Sequence, residues 1–162
     1  MDTPTEARMD NAEVAATLKL LADLLEIKGE NPFKIAAYRR AAASIEELGR
    51  SIAEVWREGK LGEIPGVGAA LEKKLDEMLR TGQLGLLTRL QAEIPAGVLE
   101  LLRIPGVGPK TAKLLWEHLG ITSIEAAEEA GRRGDLQKVP GLGAKSEAKI
   151  LAGIEALRRQ AP

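Results

Sequence analysis

The sequence predicts an all-α protein made of two small helical subdomains, built around one loop used three times. Three observations carry this. Apolar residues recur at helical spacing along most of the chain. No window shows the strict alternation of a strand. And IPGVG at Ile64–Gly68 returns unchanged at Ile104–Gly108 and once more as VPGLG at Val139–Gly143.

Taken in order, residues 1–9 read as a flexible tail. Asp10 or Asn11 caps a first helix whose stripe is Val14, Leu18, Leu21, Leu24 and Leu25, closed by Gly29. Asn31-Pro32 opens a second helix with Ile35, Tyr38, Ala42 and Ile45 inward, ending near Gly49. Ser51 caps a short third helix through Trp56 to Gly59. From there each glycine loop follows a short run (KLGEI, LELLRI, DLQKV) suited to a brief helix. Each also opens a helix of about three turns, giving a repeat of helix, tight turn and helix. A turn at Ile94–Gly97 feeds the second copy, and Gly131–Gly134 separates it from the third. The boundary is expected at Thr81-Gly82, giving subdomains 10–82 and 83–160.

Composition removes several functions. The 162 residues include no cysteine and one histidine, His118, so thiolate chemistry and a histidine zinc site are not expected. No apolar run approaches a membrane span, and the opening is polar and acidic, so a soluble cytoplasmic protein is expected. A net charge of −1 and only four aromatics, Phe33, Tyr38, Trp56 and Trp116, argue against a broadly basic or base-stacking surface. A nucleic-acid partner would have to be held locally, through its backbone.

The loop suits that task. Proline fixes φ, the glycines are expected to reach φ values closed to other residues, and the apolar residue between them (Val67, Val107 or Leu142) turns inward. Amides at the following helix N-terminus attract an anion. Gly66, Gly68, Gly106, Gly108, Gly141 and Gly143 let a phosphodiester backbone come close, and Lys110-Thr111 and Lys145-Ser146 furnish two of the helix starts. Two other glycine motifs fail. The dinucleotide fingerprint lacks its third glycine and its strand, and a nucleotide-hydrolase loop would need glycine where Pro109 and Ile104, or Ala144 and Val139, stand.

The three segments resemble helix-hairpin-helix motifs, a sequence-independent DNA-binding element. The wider order is also shared. NPFKIAAYRRAA at Asn31–Ala42 precedes the first hairpin, then comes LRTG at Leu79–Gly82, then PAGVLELLRIPGVGPKTA at 95–112. That order resembles the N-terminal part of family X DNA polymerases, from about Asn11 to about Leu157. The resemblance implies a module that grips gapped, nicked or 5′-phosphorylated duplex DNA in gap filling and base excision repair, as a nucleoid-associated monomer. It implies that Lys34 and Tyr38 hold a 5′-phosphate, and their spacing also places them one turn apart on one face. Lys74 falls where lyase members carry a Schiff-base lysine, with Lys73 beside it. Such a lysine must be neutral to attack the sugar C1′, which demands desolvation or cationic neighbours. Ala70 stands where those enzymes have a further phosphate-binding lysine. The resemblance also implies Na+ or K+ held by carbonyls of Ile64 and Val67, and of Leu102, Ile104 and Val107.

No carboxylate pair suits two metals, and Asp76 and Glu77 read as solvated helix charges, so nucleotidyl transfer is not expected of this chain. Its stop in the charged helix at Ala156–Gln160 suggests a piece of a longer polymerase. The alternatives are a 5′-deoxyribose-phosphate lyase acting through Lys74, and a hairpin-repeat scaffold for protein partners.

Overall fold

In the computed structural model, residues 6–160 are described, and all regular structure among them is helical. They form two compact units that divide after Leu90.

In the first unit, α1 (Asn11–Lys28) begins in a reciprocal cap. Asp10 Oδ1 accepts the Glu13 N–H at 2.8 Å, and Glu13 Oε1 accepts the Asp10 N–H at 3.1 Å. Gly29 ends it in the left-handed region (φ 80°). α2 (Pro32–Glu46) starts under Asn31, whose side chain accepts the Phe33 N–H. Ion pairs join Lys19 to Glu46 and Arg39 to Asp23 and Glu26, so the two helices run antiparallel. Between them Leu18, Leu21, Leu25, Ile35, Tyr38 and Ile45 are buried. Asn11 then clamps the next helix, donating to Arg50 O and accepting from Ile52 N–H, both at 2.8 Å. That helix is α3 (Ile52–Arg57), capped by Ser51. A 3-10 turn (Leu61–Glu63) and α4 (Ala69–Thr81) complete the first hairpin.

Two expectations change here. Of the expected tail, residues 1–5 lie outside the described residues, but Arg8 is tied down, its N–H donating to Leu79 O at 2.8 Å. The first unit also runs past Gly82, through most of α5 (Gly85–Glu93) as far as Leu90. Leu84 and Leu90 are buried, and Gly85 N–H donates to Glu77 Oε2 at 2.8 Å.

The second unit holds α6 (Ala96–Leu101), α7 (Pro109–Leu119), α8 (Ile124–Arg132), a 3-10 turn (Leu136–Lys138) and α9 (Ala144–Gln160). Its core is Val98, Leu101, Ile104, Ala112, Leu115, Ile121, Leu136, Ile150 and Ile154. Leu119, the last residue of α7, is exposed despite its apolar side chain. Two glycines expected in turns are helical. A Cβ on Gly97, inside α6, would sit 1.5 Å from Thr122 O, and one on Gly131, inside α8, 2.7 Å from Leu151 Cδ2. Only Gly134 (φ 80°) makes the expected turn between the second and third copies. Among the described residues no helix is long and apolar enough to cross a membrane.

Candidate nucleic-acid interface

The three loops fold alike because the same residues dictate the same turn. Proline presets the second position of a β-turn, and glycine supplies the positive φ of the third, as type II geometry requires. Gly66, Gly106 and Gly141 have φ of 88°, 92° and 92°. The turn closes when Val67, Val107 and Leu142 donate N–H to Ile64, Ile104 and Val139 O at 3.0, 2.9 and 2.9 Å. Upstream, Ile64, Ile104 and Val139 N–H donate to Leu61, Leu101 and Leu136 O, each at 3.1 Å, and those leucines are buried. Val67 and Val107 turn inward as expected, whereas Leu142 is only half-buried.

The second glycine is different from what the sequence suggested. Gly68 and Gly108 are helix N-caps in extended backbone (φ −93° and −101°), a conformation open to any residue. Gly143 is not among the positive-φ glycines either. A Cβ on Gly68, Gly108 or Gly143 would meet nothing within 4 Å. Neither backbone nor packing inside the chain asks for glycine here. All three are exposed, and each carries the first carbonyl of its helix, accepting from Glu72, Ala112 and Glu147 N–H. Gly68 and Gly108 offer no side-chain cap, so the first amides of α4 and α7 are open to an outside acceptor.

The side chains around these helix starts divide by unit. In the second unit Lys110 and Lys145 are exposed, Thr111 and Ser146 half-buried, all in the first turns of α7 and α9. In the first unit an open depression gathers Lys34 of α2, Ala69, Ala70, Lys73, Lys74 and Glu77 of α4, and Gly85, Leu86 and Arg89 of α5. Lys34 and Lys73 are exposed and Lys74 half-buried. Tyr38 does not line this depression. The residue is 5% exposed, and burial pushes its phenol above the ordinary value, keeping it a neutral O–H donor. A tyrosine can pack its ring in a core and still offer its hydroxyl as a polar tip.

Asp76 and Glu77 are not merely solvated. Asp76 Oδ1 accepts the Trp56 indole N–H at 2.8 Å, and Glu77 holds the start of α5. Among the described residues no three His, Asp or Glu side chains converge as a metal site. For a monovalent cation the donors at hand are carbonyls. Ile64 and Ile104 O each accept one turn N–H and retain a second lone pair, while the buried side chains of Ile64, Val67, Ile104 and Val107 offer nothing themselves. That donor set fits Na+ or K+ and no softer ion.

Three residues escaped sequence reasoning. Arg89 joins the depression from beyond the expected boundary. Arg40 lays its aliphatic stem over the first turn, its Cγ and Cδ 3.4 Å from where a Gly66 Cβ would stand. Phe33, beside Lys34, is 85% exposed. Only the last could have been suspected, as an aromatic off the apolar stripe of α2.

Comparison with known proteins agrees with this geometry. Residues 9–84 match a helix-hairpin-helix domain model, and residues 98–156 match a SAM-like helix-hairpin-helix tandem. The chain is 34% identical over 146 residues to the DNA polymerase/3′-5′ exonuclease PolX of Bacillus subtilis. That alignment covers 90% of the chain and 25% of PolX. It is 30% identical over 116 residues to rat DNA polymerase lambda, covering 71% of the chain and 19% of that protein. A shorter match, 43% over 58 residues, covers 36% of the chain and 8% of UvrABC system protein C of Oleidesulfovibrio alaskensis. The chain therefore spans about a quarter or less of the length of these relatives. With hairpin matches over both units and polymerase similarity along 90% of its length, the chain belongs to the helix-hairpin-helix proteins, in the group that includes the family X DNA polymerases.

Proposed function

We propose that this chain is a sequence-independent DNA-binding module of a family X DNA polymerase, gripping the sugar-phosphate backbone of gapped or nicked duplex during gap filling in base excision repair. The observation that carries the reading is the second glycine of each loop. Its side chain is missing three times at an exposed helix start where the chain itself would accept one. A phosphodiester that comes within hydrogen-bond reach of the open amides supplies the reason.

The charge distribution supports the same reading despite the near-zero total. Several arginines and acids elsewhere are paired, as in Arg50 with Glu58 and Glu128 with Arg132 and Arg158. Among the described residues, Lys34, Lys73, Lys74, Lys110 and Lys145 have no carboxylate partner and stand beside the hairpins. Loop carbonyls of Ile64 and Val67, and of Leu102, Ile104 and Val107, would hold Na+ or K+, which would screen the approach of the phosphates. The reading carries with it a monomer working at the nucleoid.

The test is a salt titration on gapped duplex. Each phosphate contact is expected to steepen the fall of log affinity with log salt by about 0.9. Absence of binding at low salt would leave the hairpins as a protein-interaction scaffold.

A second reading, lyase activity, is favoured by the company Lys74 keeps, half-buried among Lys34, Lys73 and Arg89. A neutral Lys74 amine would add to the C1′ aldehyde of the opened sugar and expel water to form an imine. Loss of a C2′ proton would then expel the 3′ oxygen with the downstream strand, and hydrolysis would return the amine. Borohydride should trap the imine as a covalent adduct on a 5′-deoxyribose-phosphate substrate. An adduct that survives Lys74→Ala would remove the assignment.

A further inference from the structure

We propose that Arg40 is the side chain through which the first hairpin holds an internucleotide phosphate of the DNA backbone, from over the turn rather than from the helix start. The proposal rests on the DNA-backbone reading above and deepens it by assigning a ligand residue outside the loops.

Three turns of one shape have three different neighbours. A Cβ on Gly106 would meet nothing within 4 Å, and one on Gly141 only Leu114 Cδ1 at 3.5 Å. On Gly66 it would meet Cγ and Cδ of Arg40, each at 3.4 Å, and the Ala41 amide nitrogen at 3.8 Å. α2 therefore backs the first turn, and Arg40 is the side chain it lays there. The helix starts differ in the complementary sense. Lys110 and Lys145 stand second in α7 and α9, whereas Ala70 stands second in α4. The first hairpin has its cation over the turn, and the other two have theirs at the helix start.

Arg39 and Arg40 are adjacent and are used differently. Arg39 turns back to α1 and pairs with Asp23 and Glu26 at 2.9 and 3.0 Å. Arg40 is exposed and forms no ion pair or hydrogen bond with any described residue, so its guanidinium is free while its stem is held. Ordering that stem costs rotamer entropy, and a guanidinium without a partner recovers none of it through charge. Its fork of N–H donors suits the two free oxygens of a phosphodiester. Lys34 and Arg40 are six residues apart and so face different sides of α2, and Arg40 is not among the residues lining the depression. The phosphate it meets is accordingly not one held by Lys34 and Lys73.

The measurement is the affinity of the 162-residue chain for gapped duplex whose downstream strand ends in a 5′-hydroxyl, followed across a salt series. Arg40→Met keeps an apolar stem against Gly66 and removes the charge, so the urea midpoint should stay where it is. Affinity at low salt should fall roughly tenfold, and the slope of log affinity against log salt should lose about 0.9, the share of one phosphate contact. Arg40→Lys should restore the slope. Arg50→Gln removes the same charge from an exposed arginine paired with Glu54 and Glu58, and should leave the slope unaltered. An unchanged slope in Arg40→Met, or an equal loss in Arg50→Gln, overturns the proposal and leaves backbone binding by the hairpins standing. Failure of the wild-type chain to bind this duplex overturns both.

Discussion

The second and third hairpins share one turn and differ in what stands behind it. Gly106 and Gly141 have the same φ of 92°, and both turns close at 2.9 Å. The second hairpin is led in by α6, whose own ladder and cap occupy its amides. The third is led in by a single 3-10 turn, whose Gln137 amide needs an acceptor from elsewhere. Glu147, 8% exposed, provides it, taking Gln137 N–H at 3.2 Å and Nε2–H at 2.9 Å. At the matching place in α7 stands Ala112, fully buried. The first hairpin repeats the rule of the third. It too has a 3-10 lead-in, and Glu72, four residues after Gly68, brings Oε1 to 3.2 Å from where a Gly62 Cβ would be. Identical loop chemistry therefore opens on unequal charge. α4 and α9 begin with a carboxylate, and the first turn of α7 has none. A carboxylate at a helix N-terminus stabilises the free helix through the macrodipole and opposes an incoming phosphate. The second hairpin should accordingly hold backbone most strongly.

The two hairpins of this unit interlock at Gly153. A Cβ there would lie 2.3 Å from Pro105 O and 2.9 Å from Ile104 Cγ2, at the second turn itself. Gly153→Leu must displace backbone, so it should destabilise the unit by about 3 kcal/mol or more. Urea unfolding would read this as a lowered midpoint, and an unchanged midpoint would mean the hairpins do not bear on each other. Next in size is the pair Gly108→Val and Gly143→Val. Each adds a side chain into open space on backbone that tolerates it, at a stability cost of about 1 kcal/mol from the poorer cap. Affinity for gapped duplex should fall roughly tenfold for Gly108→Val and about threefold for Gly143→Val. Equal losses would show that the carboxylate behind the third loop is irrelevant to the ligand.

The features readable in the sequence are those set locally. Asp10, Asn31 and Ser51 cap where their chemistry demands, Gly29 closes α1, and proline followed by glycine forces the same turn three times. What escaped depends on partners distant in sequence. Gly97 and Gly131 look like turn glycines, yet each is helical, and each is a glycine because another segment passes too close for a Cβ. Gly68 and Gly108 were expected to need unusual φ, and their ordinary φ now points the requirement outward. The depression was half legible. Lys34, Lys73 and Lys74 follow from the resemblance, but Arg89 enters only because Glu77, read as a solvated charge, pins α5 to α4. Nothing in the local pattern of either residue announces that bond.

The smallest expected effect isolates charge from shape. Glu147→Gln keeps an oxygen that can accept the Gln137 N–H and changes the volume little, so its stability cost should be about 1 kcal/mol. It removes the one negative charge buried in the third helix start. If the inequality of the hairpins is electrostatic, affinity for gapped duplex should rise about two- to threefold at low salt, and the gain should fade as salt screens it. Glu155→Gln is the control. Glu155 lies further along α9, exposed and paired with Arg159, so the same change of charge there should leave affinity unaltered. Fluorescence anisotropy at two salt concentrations suffices for both variants. A gain in Glu147→Gln that persists at high salt would trace the inequality to loop shape instead. A gain of equal size in Glu155→Gln would trace it to net charge, and in either case the ranking of the second hairpin over the third would lose its basis.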